Sequence, residues 1–219
     1  MKTPLMPTLP SPTVFVVDDD AAVRKAVSRL LRSAGIAVTD FVSPREFLTQ
    51  YDPAMPGCLV LDIAMPGFDG LQLQTILGEK GCTLPIIFLT GHADVSKSVQ
   101  AMKGGAFDFL TKPVNAKNLL PAIRAAIERD AVARRVQANL SEIRARLDAL
   151  TPREREVLEH IVAGKLNKQI ASDLGISEAT VKMHRARVMA KMKVQSVAEL
   201  ACLMERCGIR GTNSLKSAA

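Results

Sequence analysis

The sequence contains no run of about 18 uncharged apolar residues, and so offers no membrane-spanning helix. Its opening, MKTPLMPTLPSPT, carries four prolines and no continuous apolar stretch. That excludes a secretory signal of the usual form and predicts a disordered leader over residues 1–12. The four cysteines, Cys58, Cys82, Cys202 and Cys207, show no metal-ligand spacing, and no histidine stands beside them in a zinc pattern. They read as free thiols in a reducing cytoplasm. What is present suits packed cores: 47% of the 219 residues are hydrophobic and 23% are charged, enough for one large or two small domains. The net charge of +7 is unevenly spread. Residues 14–122 carry 10 Lys+Arg against 11 Asp+Glu, whereas residues 151–210 carry 11 against 7. A near-neutral front half followed by a basic back half points weakly to nucleic acid at the C-terminal end.

The first half alternates strand and helix. Val14–Val17, Cys58–Leu61 and Pro85–Leu89 are continuously apolar, as strands buried on both faces of a parallel sheet must be. Ile36–Phe41 and Ala106–Leu110 supply two more strands. Helical spacing links Val23, Val27, Leu30 and Ala34. Ser43-Pro44-Arg45-Glu46 is a capping box with proline at the first helical position. Gly70–Gly78, a segment capped by Asp94 and ending at Lys103, and everything from Asn115 onward complete five β-α units. Such alternation with right-handed crossovers predicts an α/β fold, a doubly wound five-stranded parallel sheet. From residue 115 to 150 the pattern stays helical, with a partial apolar stripe of Ile123, Ile127, Leu140, Ile143, Leu147 and Leu150 that leaves room for a modest coiled contact with a second copy. Capping boxes at Thr151 and Ser196, and helix starts at Asn167 and Ser177, then predict a small all-α unit. Its short helix, Gly175 turn and longer helix have the form of a helix-turn-helix.

Several carboxylates fall where a parallel sheet gathers its ligands. Asp18, Asp19 and Asp20 follow strand one, Asp62 ends strand three, Thr90 follows strand four and Lys112 follows strand five. In a parallel sheet these positions share one edge. Carboxylates converging there repel one another, and a hard divalent cation such as Mg²⁺ relieves that repulsion while leaving room for a phosphate oxygen. With Lys112 as a second positive charge and Thr90 as a hydroxyl donor, the set suits an aspartate nucleophile attacking phosphorus.

At this point the chain resembles the receiver domain of two-component response regulators. The matching residues are VVDDD (16–20), the aspartate of LVLDIAMPGFDG, the threonine of FLTGHAD (88–94) and the Lys-Pro of FDFLTKPV (107–114). The resemblance implies a flavodoxin-like receiver over 13–128, with Asp62 accepting a phosphoryl group from a sensor histidine kinase. It implies Mg²⁺ held by Asp18, Asp19, Asp62 and the carbonyl of Ala64, and Lys112 pairing with the phosphoryl group across a cis Lys112-Pro113 bond. Thr90 and Phe109 become the switch pair. A receptive surface over helix 94–103 and strand 106–110 would then form a homodimer. Other readings remain open residue by residue. Asp20 reads as a solvated first-turn residue, Phe109 as either a core aromatic or a switch, and His92 as an exposed loop residue.

Beyond a helical linker at 129–149, residues 150–210 resemble the LuxR-type DNA-binding domain. The likeness rests on TPRE (151–154), Asn167-Lys168-x-Ile170-Ala171, Leu174-Gly175-Ile176-Ser177 and Thr180-Val181-Lys182-x-His184, and together the two halves resemble a NarL/FixJ-type regulator. Between 178 and 192, Val181, Val188 and Met192 share one face and should pack inward. The opposite face carries Ala179, Lys182, Met183, Ala186 and Ala190, with Arg187 and Lys191 near its borders. Small residues there let a helix sink into the major groove of double-stranded DNA. Lys182 becomes the candidate purine contact, Met183 a thymine-methyl contact, Thr180 a further contact, and Lys168, Arg187 and Lys191 phosphate contacts. His184 and Arg185 lie nearer the buried border. Residues 211–219 read as a disordered tail. The regulator reading also admits RNA polymerase as a partner. A rival reading, a phosphohydrolase of the haloacid-dehalogenase type, requires a second acid two residues after the nucleophile, and Ala64 stands there. A receiver that only dimerises, without phosphorylation, is the third alternative; the intact Asp18, Asp19, Asp62, Thr90 and Lys112 set argues against it.

Overall fold

The computed structural model describes residues 11–91 and 95–208. The predicted leader apart from Ser11 and Pro12, the loop residue His92, the cap Asp94 and the tail lie outside that range. The chain divides into two compact units, residues 1–134 and 135–219.

In the first unit five strands, β1 (Thr13–Val17), β2 (Ala37–Phe41), β3 (Gly57–Asp62), β4 (Ile86–Thr90) and β5 (Asp108–Thr111), form one parallel sheet in the order β2-β1-β3-β4-β5. The helices between them are α1 (Ala21–Ser33), α2 (Pro44–Gln50), α3 (Gly70–Glu79) and α4 (Val95–Lys103), and α5 (Ala116–Asp148) follows β5. Strand alternation explains why both faces are covered. Phe15, Val17, Leu59, Leu61, Ile86 and Phe88 face one core with Phe47, Leu73, Leu77 and Ala101 of α2, α3 and α4. Val14, Val16, Cys58, Val60, Ile87 and Leu89 face the other, with Val27 and Leu31 of α1 and Leu119, Ile123 and Ala126 of α5. A period of two places successive residues on opposite sides, so a strand buried twice must be apolar throughout.

Strand five begins two residues later than the spacing predicts. Ala106 instead closes the turn after α4, its N–H donating to the Ala101 carbonyl at 3.1 Å. The short β3–α3 connection depends on Gly70, where a Cβ would lie 2.3 Å from the Asp62 carbonyl oxygen. Only glycine lets α3 start that close to the end of β3.

The second unit packs α6 (Pro152–Val162), α7 (Asn167–Leu174), α8 (Glu178–Met192) and α9 (Val197–Arg206) around one core. That core includes Ile143 and Leu147 from the last turns of α5. The core of the helical module therefore draws on residues from the segment read above as a linker.

Candidate functional site

The carboxyl ends of the strands bring the predicted acidic residues together. Parallel register sets Val17 beside Leu61 and Asp62 beside Leu89, and pairs Thr90 with Thr111. The residues that end or follow these strands thus crowd one rim. Asp18 and Asp62 are buried and Asp19 is exposed, and a carboxylate oxygen from each lies within 4.8 Å of the others. Lys112 reaches across the rim from the end of β5. Its Nζ lies 2.6 Å from Asp18 Oδ2 and 2.9 Å from Asp62 Oδ1. The Lys112-Pro113 bond is cis, as expected.

Burial pushes the Asp62 carboxyl above its ordinary value. Lys112 works against that through a hydrogen bond and its charge, while Asp18 and Asp19 add to the rise. Burial would pull the Lys112 ammonium down, but its hydrogen bonds to Asp18 and Asp62 outweigh this and raise it. When all four groups are ionised, three carboxylates face one ammonium and two negative charges remain uncompensated. An all-oxygen donor set with that residual charge fits a hard divalent cation such as Mg²⁺.

Thr90 is buried at the end of β4, and Phe109 is half-buried on β5 beside Phe88. Ala64 is exposed just beyond β3. Asp20 stands apart from the acidic set: its carboxylate caps α1, accepting from the Ala22 and Val23 N–H groups at 2.7 and 3.4 Å.

In the second unit, α7 and α8 meet at Gly175, which adopts φ 63° in the left-handed region. Val181, Val188 and Met192 are fully buried, as the spacing predicts. Ala179, Lys182, Met183, Ala186, Arg187 and Ala190 are exposed and share the outer face of α8, and Lys168 is exposed on α7. Thr180 is half-buried, its hydroxyl 2.9 Å from the Ser177 hydroxyl. His184 and Arg185 are half-buried at the border.

Lys191 is half-buried near the end of α8. Its ammonium donates to Glu154 Oε2 at 2.6 Å and to the Ala149 carbonyl at 3.0 Å. Both contacts lie within its own unit. Arg153 and Arg146 are likewise spent on the carbonyls of Leu174 and Met192 at helix ends. Part of the positive surplus in the back half is therefore structural glue.

Two features beside these sites carried no sign in the sequence. One is the Glu154–Lys191 pair, of which only the capping box was visible. The other is Arg24, whose Nη1 donates to the main-chain carbonyls of Asp18 and Asp19; an arginine on an amphipathic helix carries no local sign of such a target.

Comparison with known proteins agrees with this geometry. Residues 14–124 match the response regulator receiver domain, and residues 148–204 match the bacterial regulatory proteins of the luxR family. The chain is 43% identical to nodulation protein W of Bradyrhizobium diazoefficiens, over 92% of this chain and 88% of that protein. It is 45% identical to the transcriptional regulatory protein FixJ of Azorhizobium caulinodans, over 90% of this chain and 93% of that one. The solved structure of the response regulator StyR superposes with a TM-score of 0.84 at 44% identity, covering 90% of this chain and 99% of that chain. A strand-end acidic rim bridged by one lysine, a helix-turn-helix with a small-residue outer face and these matches together place the chain among the response regulators that join a receiver to a LuxR-type domain, as a DNA-binding regulator of transcription.

Proposed function

We propose that this regulator is switched by transfer of a phosphoryl group from a sensor kinase's phosphohistidine to Asp62. The observation that carries the reading is the Lys112 bridge between the Asp18 and Asp62 carboxylates, with Asp19 completing the cluster. In the transfer an O–P bond forms at the Asp62 carboxylate and the N–P bond of the phosphohistidine breaks, its electron pair returning to the imidazole. Asp18, Asp19, Asp62 and the Ala64 carbonyl would hold Mg²⁺, which when bound offsets charge on the transferred oxygens. Lys112 supplies a fixed cation beside the acceptor and exchanges its contact with Asp62 for one to the new phosphoryl oxygens. The Thr90 hydroxyl turns toward the same oxygens. Its movement opens space for Phe109 to rotate inward, which changes the surface of α4 and β5. That surface pairs two copies, and dimerisation presents two α8 helices to adjacent DNA half-sites.

On DNA, Lys182 and Met183 read bases, Lys168 and Arg187 contact phosphates, and Thr180 and Ala186 border the groove floor. With few polar base-reading groups on α8, the preference for an operator draws on apolar contacts and DNA shape. The protein acts in the cytoplasm as a regulator rather than an enzyme, Asp62 serving as acceptor and not as turnover catalyst.

The test compares wild type with Asp62→Asn, each incubated with acetyl phosphate and Mg²⁺, by sedimentation and by DNA retention. Phosphorylated wild type should dimerise and bind DNA more tightly, and the variant should do neither. Equal dimerisation and DNA binding with and without the phosphoryl donor would support the phosphorylation-independent alternative instead.

A further inference from the structure

Arg24 stands behind the acidic cluster rather than in it. It lies in the first turn of α1, and its side chain is only 12% exposed. Nη1 donates to the Asp18 carbonyl at 2.7 Å and to the Asp19 carbonyl at 3.1 Å. On its other edge, Nε faces Asp40 Oδ2 of β2 at 3.8 Å, too far for a hydrogen bond. Nε is buried without a hydrogen-bond partner among the described residues. One guanidinium thus spans from the β1–α1 turn to the edge strand.

The two carbonyls it holds belong to the two residues whose carboxylates meet Asp62. Asp18 has further ties, since its Oδ1 accepts from the Asp20 N–H at 2.9 Å and its Oδ2 from Lys112 at 2.6 Å. Asp19 is exposed, so its position depends on its peptide. One guanidinium ties both carbonyls while both carboxylates gather at Asp62. It does so without placing a second cation against the carboxylates, a task already taken by Lys112.

We propose that Arg24 is a positioning residue for the cation site, acting through the main chain of Asp18 and Asp19. The proposal rests on reading the cluster as a Mg²⁺ site. Mg²⁺ tolerates little departure from octahedral geometry. A turn fixed in advance spares the ion the cost of ordering it. Removal of a residue that orients metal ligands typically weakens metal binding by about 10- to 100-fold.

Calorimetric titration of the full chain with MgCl₂ tests this for wild type, Arg24→Met and Arg24→Lys, beside the Mg²⁺ dependence of phosphorylation by acetyl phosphate. Arg24→Met should weaken Mg²⁺ binding about tenfold or more and raise the Mg²⁺ concentration for half-maximal phosphorylation by the same factor. The plateau rate at saturating Mg²⁺ should be retained, because Arg24 touches neither the acceptor nor the donor. Arg24→Lys keeps one donor nitrogen and should fall between; if Arg24→Met melts below the assay temperature, the lysine variant carries the test alone. Wild-type affinity in a folded variant, or a lost plateau with unchanged half-saturation, would overturn the proposal. Failure of the wild type itself to bind Mg²⁺ would remove the parent reading and this inference with it.

Discussion

At the scale of single residues, the most informative group in the second unit is Glu154. Its carboxylate is buried, accepts the Thr151 N–H at 2.9 Å within a capping box, and meets the Lys191 ammonium at 2.6 Å. The Lys191 hydrogen bond first, and the Thr151 N–H next, hold its carboxyl down to about 2 from an ordinary 4.5. A depressed folded-state value means the stabilisation is complete above the unfolded value. It is lost as the pH falls from about 4.5 through about 2. Wild type should therefore lose its stability advantage over Glu154→Gln across that window, as read by denaturant unfolding at a series of pH values. A constant difference between the two at all pH values would refute the pairing. Lys191→Met should destabilise the unit by about 1–3 kcal/mol by leaving a buried carboxylate short of a partner. Once folded, it should retain the wild-type salt dependence of DNA binding. Arg187→Ala should instead lower that slope by roughly one. A reduced slope in Lys191→Met would show that Lys191 contacts phosphate as well.

At the scale of elements, α5 differs most from what its sequence conveys. The helical run and its stripe of Ile123, Ile143, Leu147 and Leu150 were legible, because 3.6-residue periodicity is a local property. Their destinations were not. Asp130 and Arg134 look like an ordinary surface pair one turn apart. In the fold Asp130 is 1% exposed, accepts the Gly57 N–H at 2.9 Å and pairs with Arg134 Nε at 2.7 Å. Arg134 also donates to the carbonyls of Pro53, Ala54 and Met55 at 2.7–3.1 Å. Gly57 is required at that junction, since at φ 151° a Cβ would fall 1.7 Å from the Thr13 carbonyl oxygen. Nothing within a few residues of Asp130 announces a partner 73 positions earlier in the chain. Arg134→Ala should destabilise the first unit by about 3 kcal/mol by stranding a buried carboxylate, and Asp130→Asn should relieve part of that loss in a double-mutant cycle. Additive losses would show that the two side chains act separately. The strand-end acids were legible for the opposite reason: parallel topology carries the end of every strand to one edge, so naming the strands locates Asp18, Asp62, Thr90 and Lys112 together.

At the scale of the whole molecule, two hydrophobic assemblies divide the work. The sheet with its two flanking cores carries the acidic rim, and the helical core carries the cationic, small-residue face of α8. The second core contains Ile143, Leu147 and Leu150 together with α6–α9, so a fragment of residues 135–219 keeps every side chain of that core. It should fold cooperatively in thermal unfolding, and a fragment starting at residue 150 should be less stable because it lacks Ile143 and Leu147. Equal stability of the two fragments would contradict the assignment of those residues to the core. The central claim belongs to the other unit and is chemical. Intact-mass analysis and peptide mapping of the full chain after incubation with acetyl phosphate and Mg²⁺ address it most directly. The account predicts a single phosphoryl group on Asp62, absent from Asp62→Asn and formed more slowly in Lys112→Met. A folded, Mg²⁺-binding protein that acquires no phosphoryl group, or acquires one at another residue, would contradict it.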